Sequence, residues 1–382
     1  MKRIIHYLLL ASVLLGVPLA CCLISGDEDM LAGVKSFPPR TEDWGFHPEM
    51  LWNHRCPFNW WTFAGMVAFV YFVMKPFVVR CFKAWLASRN MPRCRPSAPF
   101  PWWGWVGVVI LATGWVLSWS RFAWFRPYQV LLSYAPLWLG FILIMNALCV
   151  RRSGHSPMTD HPWAYAATFP ASALFWWFFE YLNRYVWNWY YVGVSDLSAV
   201  MYAVYATVCF MSVLPAVAAV AAWLHTFPAF ADHVYSGMAR VNLRRRGWCA
   251  FLAGISFIGL TGIVFFPAYT YPLLWISPVA VFILVQAILR ERSVTDDFVS
   301  GNWSVFFRFA TASLICGICW ETWNYYALAK WVYAVPYVHR FQIWEMPFIG
   351  FAGYLPFGLE CAATTAWILP ELIGQRKAEE PA

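Results

Sequence analysis

A chain of 382 residues that is 61% hydrophobic and 12% charged has too little polar surface to cover a soluble globule, and its mean hydropathy of +0.54 agrees. The net charge of +8 lies in short basic clusters between apolar runs, which argues against a nucleic-acid-binding domain and for membrane topology. The runs are about 20 residues or longer, so helices are the spanning element and strands of roughly 10 alternating residues are set aside. The expected fold is an all-α, polytopic integral membrane helix bundle of about ten transmembrane helices.

The first run, 4–24, follows Met1-Lys2-Arg3 and ends near Cys21-Cys22. A lipoprotein signal prefers an aliphatic residue three before the cysteine, where Pro18 stands, and the run continues through Leu23 and Ile24. The segment is therefore expected to stay as an uncleaved signal anchor. The loop 25–58 carries Asp27, Glu28, Asp29, Glu42 and Asp43 and the aromatic residues Trp44, Phe46 and Trp52. It is expected outside, capping the outer face, and with a second run at 59–79 it makes a peripheral unit over 1–100.

Runs follow at 102–120, 128–150, 163–190 and 197–224, then at 248–266, 272–289, 304–328 and 343–369. Basic residues recur after every second run: Arg80 and Lys83, Arg151 and Arg152, Arg244 to Arg246, Arg290 and Arg292, Arg376 and Lys377. These connections are expected on the cytoplasmic side of the inner membrane, with both termini there.

The offset that carries Glu180 to Glu321, 141 residues, aligns 128–226 with 269–367 without a gap. It matches Tyr128 with Tyr269, Arg151 with Arg292, Ser172 with Ser313, Asn183 with Asn324, Phe210 with Phe351, and Leu214-Pro215 with Leu355-Pro356. Rare polar and helix-breaking residues coincide, which points to a parallel duplication of four-helix units, 101–247 and 248–382. Interfaces between such repeats often hold a substrate site.

Few polar residues interrupt the runs. Glu180 and Asn183, and likewise Glu321 and Asn324, are three apart and share a helix face. Arg184 and Lys330 stand nearby as candidate counter-charges. In the last run Pro347, Gly350, Gly353, Pro356 and Gly358 predict a kinked or broken helix. Glu345 is expected near the start of that helix, where a carboxylate complements the dipole, and Glu360 in its apolar body. The first copy has Val204 and Ala219 at those positions, so a reactive site is expected to lean on the second unit. Intramembrane carboxylates are costly and mark reactive centres or ion pathways. Glu321, Glu345 and Glu360 are thus candidate catalytic residues with Asn324 orienting them. Glu180, Asn183, Trp320, Trp323, Trp331, Trp344 and Tyr354 are candidate substrate contacts.

Eleven cysteines lie mostly inside apolar runs and imply no disulfide framework. Cys316 and Cys319 form a CxxC without a nearby histidine, so no metal site is expected, and no cofactor is indicated. No P-loop, Rossmann fingerprint or hydrolase elbow occurs. With 26 Trp, 19 Tyr and 32 Phe, aromatic walls suited to a flat or polyene-like ligand are expected besides interface belts. The function expected is a membrane-embedded enzyme modifying a lipid or isoprenoid by carboxylate acid/base chemistry. The alternatives are a proton- or cation-coupled transporter with its site between the repeats, and a structural subunit. The partners expected are the lipid bilayer and a hydrophobic small molecule, with no nucleic acid; the oligomeric state is left open.

Overall fold

The computed structural model describes residues 2–35, 54–89, 91, 97–194 and 196–373. The aromatic stretch with Trp44, Phe46 and Trp52, and the terminal pair Arg376 and Lys377, lie outside the described residues. The chain begins with helices α1 (Lys2–Leu14), α2 (Gly16–Ser25) and α3 (Glu28–Lys35), followed by α4 (Trp60–Ser88) and α5 (Trp102–Ser120). Next come α6 (Tyr134–Ser153), α7 (Pro162–Val186), strand β1 (Trp189–Val192), α8 (Ala199–Phe210) and α9 (Val213–His225). Helices α10 (Arg246–Phe265), α11 (Ser277–Ile288) and α12 (Ser304–Tyr325) lead to β2 (Lys330–Tyr333). A small hairpin of β3 (Gln342–Ile343) and β4 (Met346–Pro347), a 3-10 turn over Phe348–Gly353 and α13 (Tyr354–Ile368) complete it.

Among the described residues, seven helices are long and apolar enough to cross a membrane, with α1–α2 and α8–α9 each counted as one. A bent pair, Pro267–Trp275 with α11, adds an eighth at an angle of 52° if taken as one span. Two sequence runs take other forms than a single straight span. Helix α7 has the length but falls outside the seven on composition, because prolines, tryptophans and tyrosines lower its mean hydropathy along its whole length and its last turns add Glu180, Asn183 and Arg184. The run 343–369 is a hairpin, a 3-10 turn and a 15-residue helix. Glu345 is therefore in a hairpin turn and not at a helix start. The hairpin forms because Trp344 takes a left-handed conformation (φ 58°) and Glu345 pairs with Lys330.

Helices α7, α9, α12 and α13 pack together at the centre. Helix α9 is built of Ala and Val around Pro215, and Val213 to Ala221 are all buried, so its small side chains let four helices, α6, α7, α12 and α13, approach. The break between α8 and α9 is tied by Ser172, whose Oγ donates to the Phe210 carbonyl (2.6 Å) and accepts from the Leu214 amide (3.0 Å). Ser313 donates in the same way to the Tyr354 carbonyl where α13 begins. Backbone freed at membrane depth is thus met by neighbouring side chains.

Helices α5 and α6 cross closely on glycine. A Cβ on Gly140 would lie 2.7 Å from the Gly107 carbonyl oxygen, and one on Gly107 would lie 2.9 Å from that of Gly140. Helices α10 and α11 pair correspondingly, while α1 packs on α11 and α2 on α10. Leu10, Leu14 and Cys22 accordingly join the main core. The outside carries exposed Ile24, Trp61, Phe72, Trp105, Val109, Leu174 and Phe257, more apolar surface than water would tolerate.

Candidate active site

The last turns of α7 and α12 each present a glutamate and an asparagine on one face, and each asparagine fixes the strand that follows. Asn183 accepts from the amides of Asn188 (2.8 Å) and Trp189 (3.3 Å) and donates to the Trp189 carbonyl (2.7 Å). Asn324 accepts from the Trp331 amide (3.0 Å) and donates to its carbonyl (2.8 Å). Held at these points, β1 and β2 pair antiparallel, with Trp189 opposite Tyr333 and Tyr191 opposite Trp331. Side chains two apart and directly opposite share a sheet face, so the four aromatic residues lie together over the two glutamates. Tyr190 is turned the other way, into a small cluster with Cys56 and Ala334.

The two glutamates are bonded differently. One oxygen of Glu180 accepts from the indoles of Trp176 (3.1 Å) and Trp189 (2.9 Å) and from the Tyr191 hydroxyl (2.6 Å). Oε1 of Glu321 accepts from the Tyr333 hydroxyl (2.7 Å), to which the Trp331 indole in turn donates (3.1 Å). Among the described residues no donor reaches Oε2 of Glu321 at bonding geometry, although the side chain is fully buried. Lys330 is engaged elsewhere, in an ion pair with Glu345 and a bond to the Tyr325 carbonyl (3.3 Å). Arg184 donates to the Gly33 carbonyl (2.8 Å) and acts on Glu180 through its charge.

Glu321, itself fully buried, is among the residues lining a cavity of about 790 Å³. That is the size of sites that take up a whole small molecule, roughly 300–1,000 Å³. One face of α4 (Met66, Val70, Val73, Phe77) forms one wall, and one face of α8 (Tyr202, Ala206, Cys209) another. The 3-10 turn and the start of α13 close the back. Aromatic rings pack around it: Trp189 stacks on Trp275 at 5.7 Å, Trp320 on Tyr354 at 6.1 Å, and Phe357 meets Trp275 edge-on at 5.9 Å. Among the described lining residues Glu321 is the one carboxylate and Lys330 the one ammonium.

Of the sequence candidates, Glu321, Trp320, Trp331 and Tyr354 come together in the cavity wall. Asn183 and Asn324 hold the strands, and Glu180 is enclosed by its three donors. Trp323 points into the core against Trp138 (4.8 Å) and Trp115 (6.0 Å). Trp344 and Glu345 occupy the hairpin turn. Glu360 lies outside the lining, 3% exposed, facing the Val279 backbone amide in the first turn of α11, and neither oxygen has a bonded donor among the described residues. Sequence reasoning missed Asn188, Tyr191, Trp275 and Tyr333. A signal existed for the tyrosines: Trp-x-Tyr follows both glutamate-asparagine pairs, at Trp189 and Trp331. A fixed offset hides it, because the second connection is one residue longer.

Among the described residues no three His, Cys, Asp or Glu side chains gather as metal ligands. Cys316 and Cys319 are both free thiols. Comparison with protein-family models, curated proteins and solved structures finds no match.

Proposed function

We propose that this chain is a multi-pass membrane enzyme that takes a lipid or isoprenoid into the cavity and modifies it by acid/base chemistry at Glu321. The observation that carries the reading is the spare Oε2 of Glu321 at the wall of an aromatic cavity large enough for a whole substrate. Tyr333 fixes the carboxyl by holding Oε1, which leaves the buried Oε2 without a bonded donor among the described residues, one side-chain movement from the cavity that Glu321 lines. The aromatic walls exclude water and offer π faces to an apolar or transiently cationic substrate. Glu360, away from the wall, makes no contact with substrate in this reading, and Asn324 acts through the strand it positions.

The order of elements supports an origin by duplication. A long helix (α5, α10), a short helical turn, a second helix (α6, α11), a long helix ending in Glu and Asn (α7, α12), a strand (β1, β2) and a final buried helix (α9, α13) occur twice in sequence. The basic connections favour a topology with both termini on the cytoplasmic side.

The test compares lipid extracts from a deletion strain and from strains carrying Glu321→Gln or Glu360→Gln. The proposal expects Glu321→Gln to reproduce the deletion and Glu360→Gln to resemble wild type. Identical lipids in all strains would overturn it. A transporter is the second reading, favoured by lining residues at both ends of α12, Trp303 and Glu321; it requires labelled lipid to move between leaflets in vesicles carrying the protein.

A further inference from the structure

Helix α4 joins the bundle along one stripe and borders the cavity along the flank beside it. The stripe runs through Phe63, Val70, Met74, Phe77 and Cys81. It packs on Val338 and Ile349 near one end and on Tyr235 and Phe307 near the other. Both ends are also tied by hydrogen bonds, from the Asn59 amide to the Tyr337 carbonyl (2.8 Å) and from Arg80 to the Val234 carbonyl (3.0 Å). Phe69, Val73 and Pro76 form the flank and line the cavity. Yet Phe69 is 60% exposed and Val73 38%, and Pro76 is exposed as well. Side chains that line a cavity and also stand open to the surroundings mark its mouth.

Helix α8 forms the other side of this mouth. Its Tyr205, Ala206 and Cys209 line the cavity half-buried, and Met201, Val204 and Val208 beside them are exposed. Helix α8 packs on α6 and α7, and α4 packs on the 3-10 turns Pro228–Phe230 and Phe348–Gly353, so the two helices border one cavity without packing closely on each other. Both belong to segments long and apolar enough to cross a membrane. At 1.5 Å per residue, all six rim residues lie within about 11 Å of the midpoints of their spans, inside a hydrocarbon core of roughly 30 Å. None of the six is charged. An apolar opening at that depth faces acyl chains and is remote from both water interfaces.

Resting on the reading of this cavity as a substrate site, we infer that it opens sideways into the bilayer between α4 and α8, and that its substrate is a bilayer-resident lipid whose hydrocarbon chain enters through this mouth.

The experiment reconstitutes the full chain in phosphatidylcholine vesicles containing hexadecane that carries a mid-chain diazirine, irradiates them, and maps the labelled residues by mass spectrometry. The probe has no head group, so its reach reports access from the hydrocarbon core alone. Labels are expected outside, at Phe72 and Phe257, and also inside, at Trp320 and Tyr354, which line the cavity from α12 and α13. Val73→Trp and Ala206→Trp, on opposite sides of the mouth, are each expected to lose the inside labels. Phe72→Trp, next to Val73 but outside the lining, is expected to keep them. Phe309, fully buried, stays unlabelled wherever the fold is intact, and either plugging variant that meets this condition decides the matter. Inside labels that survive plugging, or that are absent from the wild type, overturn the lateral mouth. Labelling needs no reaction, so the two readings fail separately. Inside labels lost on plugging, in a chain whose deletion leaves the lipids unchanged, would uphold the mouth and overturn the enzyme; changed lipids with labels indifferent to plugging would do the reverse.

Discussion

Glu180 and Glu321 stand in the last turns of α7 and α12 and each faces a Trp-x-Tyr strand, yet Glu180 receives three donors on one oxygen and Oε1 of Glu321 receives one. The difference lies in where the tryptophan indole goes. Trp189 donates directly to its glutamate, whereas Trp331 donates to Tyr333 and leaves Oε2 of the buried Glu321 carboxylate without a donor at bonding geometry among the described residues. Both carboxylates are buried, and they differ in how many donors they hold.

The asymmetry predicts opposite consequences for one substitution. Glu180→Gln weakens three buried hydrogen bonds to a charged acceptor and should cost about 1.5–3 kcal/mol, seen as a lower unfolding temperature in detergent. Glu321→Gln disturbs one such bond and should lower stability less while abolishing the lipid change. Equal destabilisation by both would show that the two carboxylates do the same job.

Much of this was legible in the sequence because its signals are local. Glu-x-x-Asn places two polar groups on one helix face wherever the helix sits, and Pro356 with its glycines marks a broken helix. The four-residue strands have too few residues to show a period, so Tyr333 and Tyr191 did not stand out. Glu345 and Glu360 drew attention as intramembrane carboxylates, but which of them meets a cavity depends on packing. Lys330, reaching back over the hairpin to Glu345, has no trace in either local pattern.

The α5–α6 crossing makes a prediction about accumulation. Gly140→Leu would force side-chain atoms into the backbone of Gly107 and Leu111, an overpacking cost of about 1–3 kcal/mol or more. Gly254, in α10, has nothing within 4 Å of its Cβ position. Gly254→Ala should be neutral or stabilising, by up to about 1 kcal/mol from helix propensity. Membrane levels of the two variants and their unfolding temperatures separate these outcomes; a tolerated Gly140→Leu would refute the close crossing.

At the other end of the bundle Asp232 joins His225 (3.5 Å) to Arg308 (3.4 Å). The hydrogen bond from His225 and the charge of Arg308 hold its carboxyl below the usual range, against the opposing effect of partial burial. A carboxyl whose pKa is depressed by folding contributes stability above its unfolded value, about 3.9, and that contribution is lost as the pH falls through the folded value. Asp232 is 62% exposed, so solvent screening keeps the effect below about 1 kcal/mol. Asp232→Asn should therefore be less stable at neutral pH and lose less on acidification below about pH 4. Parallel acid profiles for wild type and variant would count against this linkage.

The apolar end of the cavity should act as a ruler for chain length. Phe77 stacks on Phe307 at 5.3 Å and meets Phe306 edge-on at 6.3 Å, so these rings form a wall where a chain from Glu321 would stop. Phe306 is only half-buried, and Phe306→Ala should cost less than the roughly 3–5 kcal/mol of a fully buried Phe→Ala. Removing that ring lengthens the cavity at the end remote from Glu321. Lipids co-purifying with Phe306→Ala should shift to longer chains at similar total occupancy, as read by lipid mass spectrometry. A fall in occupancy without a shift in length would place the chain elsewhere, because only a ligand whose tail abuts Phe306 gains room from its loss.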